Sequence, residues 1–320
     1  MIERTCYKAF GLVIESEFPL IQLPCIPAQT PDVQIVRADL SKLTPLQQQF
    51  SGPEGCYFKG LDRCAHRITG GCLIEVDPAP DYDPALLGVY LLGTCMGAIL
   101  YQRGVMLLHG SCVTNGRRAV LLTGESGAGK STLAAEFLRR GWRLITDDVS
   151  AVYDPEGAPM VQSSYPSQKL WQDALERYER RESDIHSLYT AANREKYGVD
   201  ASEFFYDGRT PLTLVVRLLP DEPDCRIEPV TGMTMVDQLM RNTYRFNLIR
   251  EQDLSRHFQR CVTLSTKISM ALVTRTDGAD HAHQMYELIT GFLDQLPAKG
   301  ASSKPRTSPL DSFHGTGMQP

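Results

Sequence analysis

The chain has 320 residues, 42% of them hydrophobic, and a formal net charge of −5, with an isoelectric point near 5.8. That length buries a full core and suggests two domains, or one domain with an appendage. The acidic balance leaves no cluster of Lys and Arg to grip a phosphodiester backbone, so nucleic acid is excluded as the main partner.

The start carries Glu3, Arg4 and Lys8 in place of an apolar run with a small-residue cleavage site. A secretory signal is therefore not expected, and the chain is expected in the cytoplasm. Nine cysteines, at 6, 25, 56, 64, 72, 95, 112, 225 and 261, include no Cys-x-x-Cys pair. They read as reduced, mostly buried small hydrophobes, and the even spacing of Cys56, Cys64 and Cys72 makes no zinc knuckle. The runs FGLVIES, DVQIVRA, CYFKG, HRITGG and CLIEVD, separated by Pro and Gly clusters, predict a small sheet and a β-rich N-terminal domain over 1–84.

The uncharged stretch 85–102, interrupted by Gly88, Gly93 and Gly97, reads as a buried helix rather than a membrane span. It opens a second domain, 85–297. The apolar run VMLLHG, ending at His109-Gly110, reads as a buried strand. Asn115-Gly116 then turns a hairpin between Ser111–Thr114 and Arg118–Thr123, which runs straight into a glycine-rich loop. After the loop, Leu133, Ala134, Phe137 and Leu138 share one face of a helix, Gly141 ends it, and Arg143–Thr146 is a strand.

From Asp154 to about Asp207 the chain is polar and reads as helical, with a break at Tyr165-Pro166. Leu212–Leu219 resumes as a strand, and helices at Thr234–Asn242, Glu251–Gln259 and Ala282–Leu296 surround a strand at Ser269–Thr274. Beyond Pro297 the Gly, Ser and Pro content predicts a disordered tail, 298–320. The fold class is α/β: a P-loop kinase core with a small β-rich N-terminal domain.

Gly124, Glu125, Ser126, Gly127, Ala128, Gly129, Lys130 and Ser131 fit G-x-x-x-x-G-K-[ST] at every position, between a strand and a helix as the mechanism requires. The glycines let backbone N–H groups point inward, and the helix N-terminus adds its positive dipole end. The stretch from Gly124 through Thr132 is thus the expected site for ATP, with Lys130 on the β- and γ-phosphates and the Ser131 hydroxyl on Mg²⁺. Asp147-Asp148 follow the strand Arg143–Thr146 at the carboxyl edge, where open α/β sheets gather ligands. One acid can hold the metal, for which Asp148 joins Ser131 as a candidate ligand, while the other takes a proton from a hydroxyl; either can be the base. If its strand neighbours the loop strand, His109 lies at the same edge and can orient a carboxylate. His281 and His283 have metal-like spacing without a third partner and read as a surface helix.

The stretch LLHGSCV…AVLLTGESGAGKSTLAAEFLRRGWRLITDD resembles the catalytic core of the HPr serine kinase/phosphorylase family. The resemblance rests on His109-Gly110, the loop, Arg140-Gly141-Trp142-Arg143-Leu144 and Asp147-Asp148. It implies a fold of the HPr kinase C-terminal type, with His109, Lys130, Ser131, Asp147 and Asp148 in the active site and one aspartate as base toward a serine. The family's downstream L-E-x-R-G-x-G signature is replaced here by Tyr165-Pro166-Ser167-Gln168-Lys169-Leu170-Trp171. The whole-chain pattern, including YKAFGLVIESEFPL, is more similar to the HPr-kinase-like enzymes of lasso peptide gene clusters, which implies a precursor peptide with a C-terminal serine as acceptor. Lys169, Arg194, Lys196 and Arg209 are candidate contacts for its carboxylate or the transferred phosphate. The expectation is a Mg²⁺- and ATP-dependent serine kinase acting on a peptide or protein, with no membrane partner. A small-metabolite kinase for free serine and a nucleotide-gated regulator without transfer stand as alternatives, and ATP against GTP and a homo-oligomer stay open.

Overall fold

The computed structural model describes residues 4–43, 55–154, 156–171, 185–191, 194–219, 224–274 and 281–297. The expected tail, 298–320, lies outside them. Strands β1 (Thr5–Ala9), β2 (Leu12–Ser16), β3 (Cys25–Ile26), β4 (Val33–Arg37), β5 (Cys56–Lys59), β6 (Ala65–Thr69) and β7 (Leu73–Asp77) form a sheet in the order β3-β1-β2-β4-β7-β6-β5. Alternate residues of β6 and β7 are buried, so His66, Ile68, Ile74 and Val76 line one face, as the period of two in a strand dictates.

Helix α1 spans Pro84–Gln102. Its start is set by Pro84 and by Asp83, whose carboxylate accepts from the Ala85 N–H at 2.8 Å, a standard N-cap. A π-helical turn at Leu91–Cys95 lies within it. Among the described residues it alone is long and apolar enough to cross a bilayer, yet 67% of it is buried inside the protein. Leu87, Leu91, Leu92, Met96 and Ile99 pack against Ile14, Ile35, Ile74 and Val76, and the same core continues into Leu107, Val149 and Ala151 beyond the helix. Each such side chain contributes about 1.5–3 kcal/mol relative to exposure.

The second sheet holds β8 (Met106–His109), β9 (Ser111–Thr114), β10 (Ala119–Gly124), β11 (Arg143–Thr146), β12 (Val149–Tyr153), β13 (Met160–Gln162), β17 (Arg209–Leu219), β18 (Ile227–Val230) and β19 (Ser269–Thr274). β10 and β19 flank β17 in parallel. Every residue of β10 is buried, as a central strand covered on both faces must be. Val120 and Leu122 face helices α2 (Lys130–Arg139) and α5 (His281–Gln295), whereas Ala119 and Leu121 face α3 (Gly232–Arg241) and α4 (Glu251–Ser265). Helices on both faces of the loop strand make this a layered α/β core.

One expectation is overturned. The polar segment 154–207, read as helical, contains β13 and a separate sheet in the order β14-β16-β15, from β14 (Ser167–Trp171), β15 (Ile185–Ala191) and β16 (Arg194–Asp200); 172–184 lie outside the described residues. Its Ala, Leu, Glu and Arg are good helix formers, but β16 pairs on both sides, with β14 and β15, and cross-strand partners override local preference.

Candidate active site

The glycine loop leaves β10 at Gly124 (φ 140°) and enters α2 through Gly129 (φ 94°), with Gly127 at φ 86° between them. These left-handed values are open to glycine and strained for other residues. Gly124 is constrained by space as well, since a Cβ there would lie 2.9 Å from the Leu218 carbonyl oxygen. No side chain caps the N-terminus of α2. A helix start presents backbone N–H groups and a partial positive charge, which together suit phosphate oxygens. The Lys130 ammonium donates to the carbonyls of Gly124 and Glu125, both at 2.9 Å, and so braces the loop from its own helix.

The acid pair sits at a corner. β9 pairs with β11, and β8 with β12, so one antiparallel ladder runs from 106–114 against 143–153 and bends where Gly110 meets Asp147-Asp148. A register shift between Leu144 and Thr146 precedes the bend; bulges of this kind re-aim side chains beside active sites. Asp148 has φ 93°, a conformation that Asp tolerates better than most residues. Thr146 Oγ1 donates to the Val149 carbonyl at 2.6 Å and closes the bend.

The two carboxylates face different partners. Asp147, 5% exposed, accepts from Ser131 Oγ at 3.3 Å, from Ser111 Oγ, and from the Lys169 backbone N–H at 2.7 Å. Asp148 meets the Lys169 ammonium at 2.7 Å and His109 Nδ1 at 3.1 Å. Burial pushes the Asp148 carboxyl up, but the Lys169 ammonium and the His109 imidazole outweigh it and hold it well below the usual carboxylate range. Burial likewise pushes Lys169 down, and the Asp148 charge reverses this and holds it well above its ordinary value. Both groups are thus charged at neutral pH.

His109 arrives by a route other than the one expected. Its strand does not neighbour β10; β8 pairs with β12, with His109 opposite Val149, and this brings the imidazole to Asp148. Tyr244 packs behind it, ring centroids 6.2 Å apart, and burial pushes the Tyr244 phenol up to about 12, so it stays neutral.

Of the expected residues, the loop, Ser131, Asp147, Asp148, His109 and Lys169 converge at this corner. Arg209 does not: it donates to Gln162 Oε1 at 2.9 Å and stacks over Tyr153. The side chains of Arg194 and Lys196 lie outside the described residues. His283 bonds Arg140 at 2.8 Å on an exposed helix face, and among the described residues no cluster of three His, Cys, Asp or Glu could hold a metal. Sequence reasoning missed Ser111, Gln168 and Tyr244. Gln168 Nε2 donates to the Ser131 carbonyl at 2.9 Å, tying β14 to the start of α2. Ser111 left a signal, one residue beyond His109-Gly110 in the same run, and Gln168 lies in the segment 165–171 that replaces the family's downstream signature.

The donor set fits Mg²⁺. Ser131 Oγ and Asp147 Oδ1 are hard oxygens 3.3 Å apart beside the glycine loop, the pairing Mg²⁺ takes together with water and phosphate oxygens.

Comparison with known proteins places the same segment. The family model of the HPr Serine kinase C-terminal domain matches residues 104–176. HPr kinase/phosphorylase of Lacticaseibacillus casei (strain BL23) is 32% identical over 108 residues, 34% of this chain and 33% of that protein. The protein of the same name from Clostridium beijerinckii is 48% identical over 50 residues, 16% of this chain and 17% of that protein. The match thus spans a third or less of these relatives' length. The structure of the Hpr(Ser) kinase/phosphatase from Coxiella burnetii aligns with 58% of this chain and 89% of that chain at 12% identity and a TM-score of 0.31. The segment that carries the glycine loop and the acid pair is thus similar to the C-terminal domain of HPr kinases.

Proposed function

We propose that the protein is a Mg²⁺- and ATP-dependent serine kinase that transfers the γ-phosphoryl group to a serine hydroxyl of a peptide or protein, the C-terminal serine of a lasso peptide precursor in particular. The observation that carries this reading is the division of labour between adjacent acids. Asp147 touches the loop serine, whereas Asp148 is held by His109 and Lys169. A gate that only senses nucleotide needs one metal carboxylate, and a second acid with its own partners suits proton transfer.

In this reading Ser131 and Asp147 hold the metal. Asp148, named with Ser131 as metal ligand from sequence, is taken instead as the base, because the Lys169 ammonium already occupies one of its oxygens. Mg²⁺, when bound, neutralises phosphate charge. Ser111 and the Lys169 N–H fix the Asp147 carboxylate, while His109 aims Asp148 and the loop amides with Lys130 hold the nucleotide phosphates. Asp148 accepts the serine proton as the acceptor oxygen attacks.

The test is incubation with MgATP and a peptide ending in serine, read by mass spectrometry. A product heavier by one phosphate supports the reading. Competition by free serine at equal concentration would move it to a small-metabolite kinase, and tight nucleotide binding with no product across a broad acceptor panel would move it to a regulator. Synthesis with a C-terminal amide beside the free acid separates a terminal-serine acceptor from an internal one.

A further inference from the structure

The cation on the second acid comes from neither the glycine motif nor the acid pair. Lys169 lies on β14, in the three-stranded sheet apart from the one that carries the loop. Its backbone N–H holds Asp147 and its ammonium holds Asp148, each at 2.7 Å, and its side chain is 10% exposed. The preceding Gln168, fully buried, donates to the Ser131 carbonyl. Two consecutive residues of one strand therefore touch the start of α2, the acid beside the loop serine and the acid facing His109. Lysine is seldom buried without a partner. The loop's own Lys130 bonds the carbonyls of Gly124 and Glu125, and the Lys169 ammonium bonds the Asp148 carboxylate.

We propose that Lys169 is a catalytic residue whose ammonium passes from Asp148 to the phosphoryl oxygens during transfer. This rests on the kinase reading above. In the step, the acceptor oxygen forms its bond to the γ-phosphorus as the bond from that phosphorus to the β-bridging oxygen breaks. The electron pair of the broken bond leaves with the nucleoside diphosphate, and the acceptor proton goes to Asp148. Because the ammonium bonds the acid that meets the acceptor, it lies on the acceptor side when the transferring group, with charge spread over its equatorial oxygens, is between donor and acceptor. A compact ammonium on a flexible four-carbon stem can follow that charge. An interaction made in this way is stronger in the transition state than in the ground state, so it acts on kcat and leaves nucleotide affinity alone.

The experiment compares wild type with Lys169→Met, Lys169→Gln and Lys169→Arg. It measures kcat and KM for MgATP with a serine-terminated peptide, diphosphate formation with water as acceptor, MgATP affinity by calorimetry, and thermal unfolding. The expected result is a drop in kcat of about 10²–10³-fold in the Met and Gln variants, the size seen when one transition-state donor is lost. Affinity stays within about threefold, and Lys169→Arg recovers at least roughly tenfold of the loss because the charge returns. If Met fails to fold, Gln and Arg carry the comparison. A kcat in the neutral variants within about fivefold of wild type overturns the proposal, as does parallel loss of nucleotide affinity and kcat that arginine fails to restore, the behaviour of a structural clamp. Wild-type protein that binds MgATP yet turns it over with neither peptide nor water overturns the kinase reading itself. That result is distinct from turnover indifferent to residue 169.

Discussion

Gly110 and Asp148 exchange backbone hydrogen bonds: each N–H donates to the other's carbonyl at 3.2 Å. This mutual pair sits at the bend between β8 and β9 on one side and β11 and β12 on the other. It fixes the backbone of the acid nearest His109.

Gly110 cannot be replaced without disturbing the bend. A Cβ there would lie 2.3 Å from the Leu122 carbonyl oxygen and 3.0 Å from Leu121 Cδ1, and the first is backbone that cannot step aside cheaply. Gly110→Ala should lower stability by roughly 2–4 kcal/mol, the range of overpacking combined with a broken ladder. Urea unfolding checks this, and a midpoint equal to wild type would show that the bend yields.

The two acids should fail differently. Asp148→Asn should reduce phosphate transfer by about 10²–10⁴-fold, the weight of a general base, with MgATP affinity retained. Asp147→Asn should instead shift the Mg²⁺ dependence, raising the concentration needed for half-maximal nucleotide binding. Magnesium titrations of both variants discriminate, and identical profiles would dissolve the division of roles.

Ser111 supports Asp147 from beneath. Ser111→Ala removes one of its donors and should weaken Mg²⁺-dependent nucleotide binding by about tenfold, as loss of an outer-shell partner typically does, with unfolding lowered by about 1–2 kcal/mol. Calorimetry at fixed nucleotide and varied magnesium measures the first effect and denaturant unfolding the second.

His257 makes stability depend on acidity. It is 6% exposed, shares a 2.8 Å hydrogen bond with Thr243 Oγ1, and burial, helped by Arg260, lowers its pKa from 6.5 to about 4. The folded state therefore binds the proton less readily than the unfolded chain. Its contribution is fully present above pH 6.5 and is lost as pH falls through about 4, amounting to about 3 kcal/mol across that window. Unfolding followed between neutral pH and pH 4 should show this slope, and His257→Gln should flatten it.

The loop, the helix behind it and the acid pair were legible because each is a local pattern. Glycines at 124, 127 and 129 recur where backbone must turn left-handed, and apolar residues of the 131–140 segment recur at helical spacing. The strand at 269–274 and the helices near 234, 251 and 282 were readable for the same reason. The strands β14 and β16 were not, because neither shows the alternation of a half-buried strand and each is set by pairing with the other, far along the chain. Ser111, Gln168 and Tyr244 left little signal, since each acts through a contact with a residue distant in sequence.

From the order of residues alone came the glycine loop, its lysine and serine, and two adjacent acids at a strand end, because backbone conformation and local hydrogen bonding depend on near neighbours. Which acid touches Ser131, which faces His109, and that Lys169 stands between them depended on the bend at Gly110 and on β14 crossing to α2. Those contacts join segments about twenty to forty residues apart, and only packing of the whole chain decides which side chains meet at such separations.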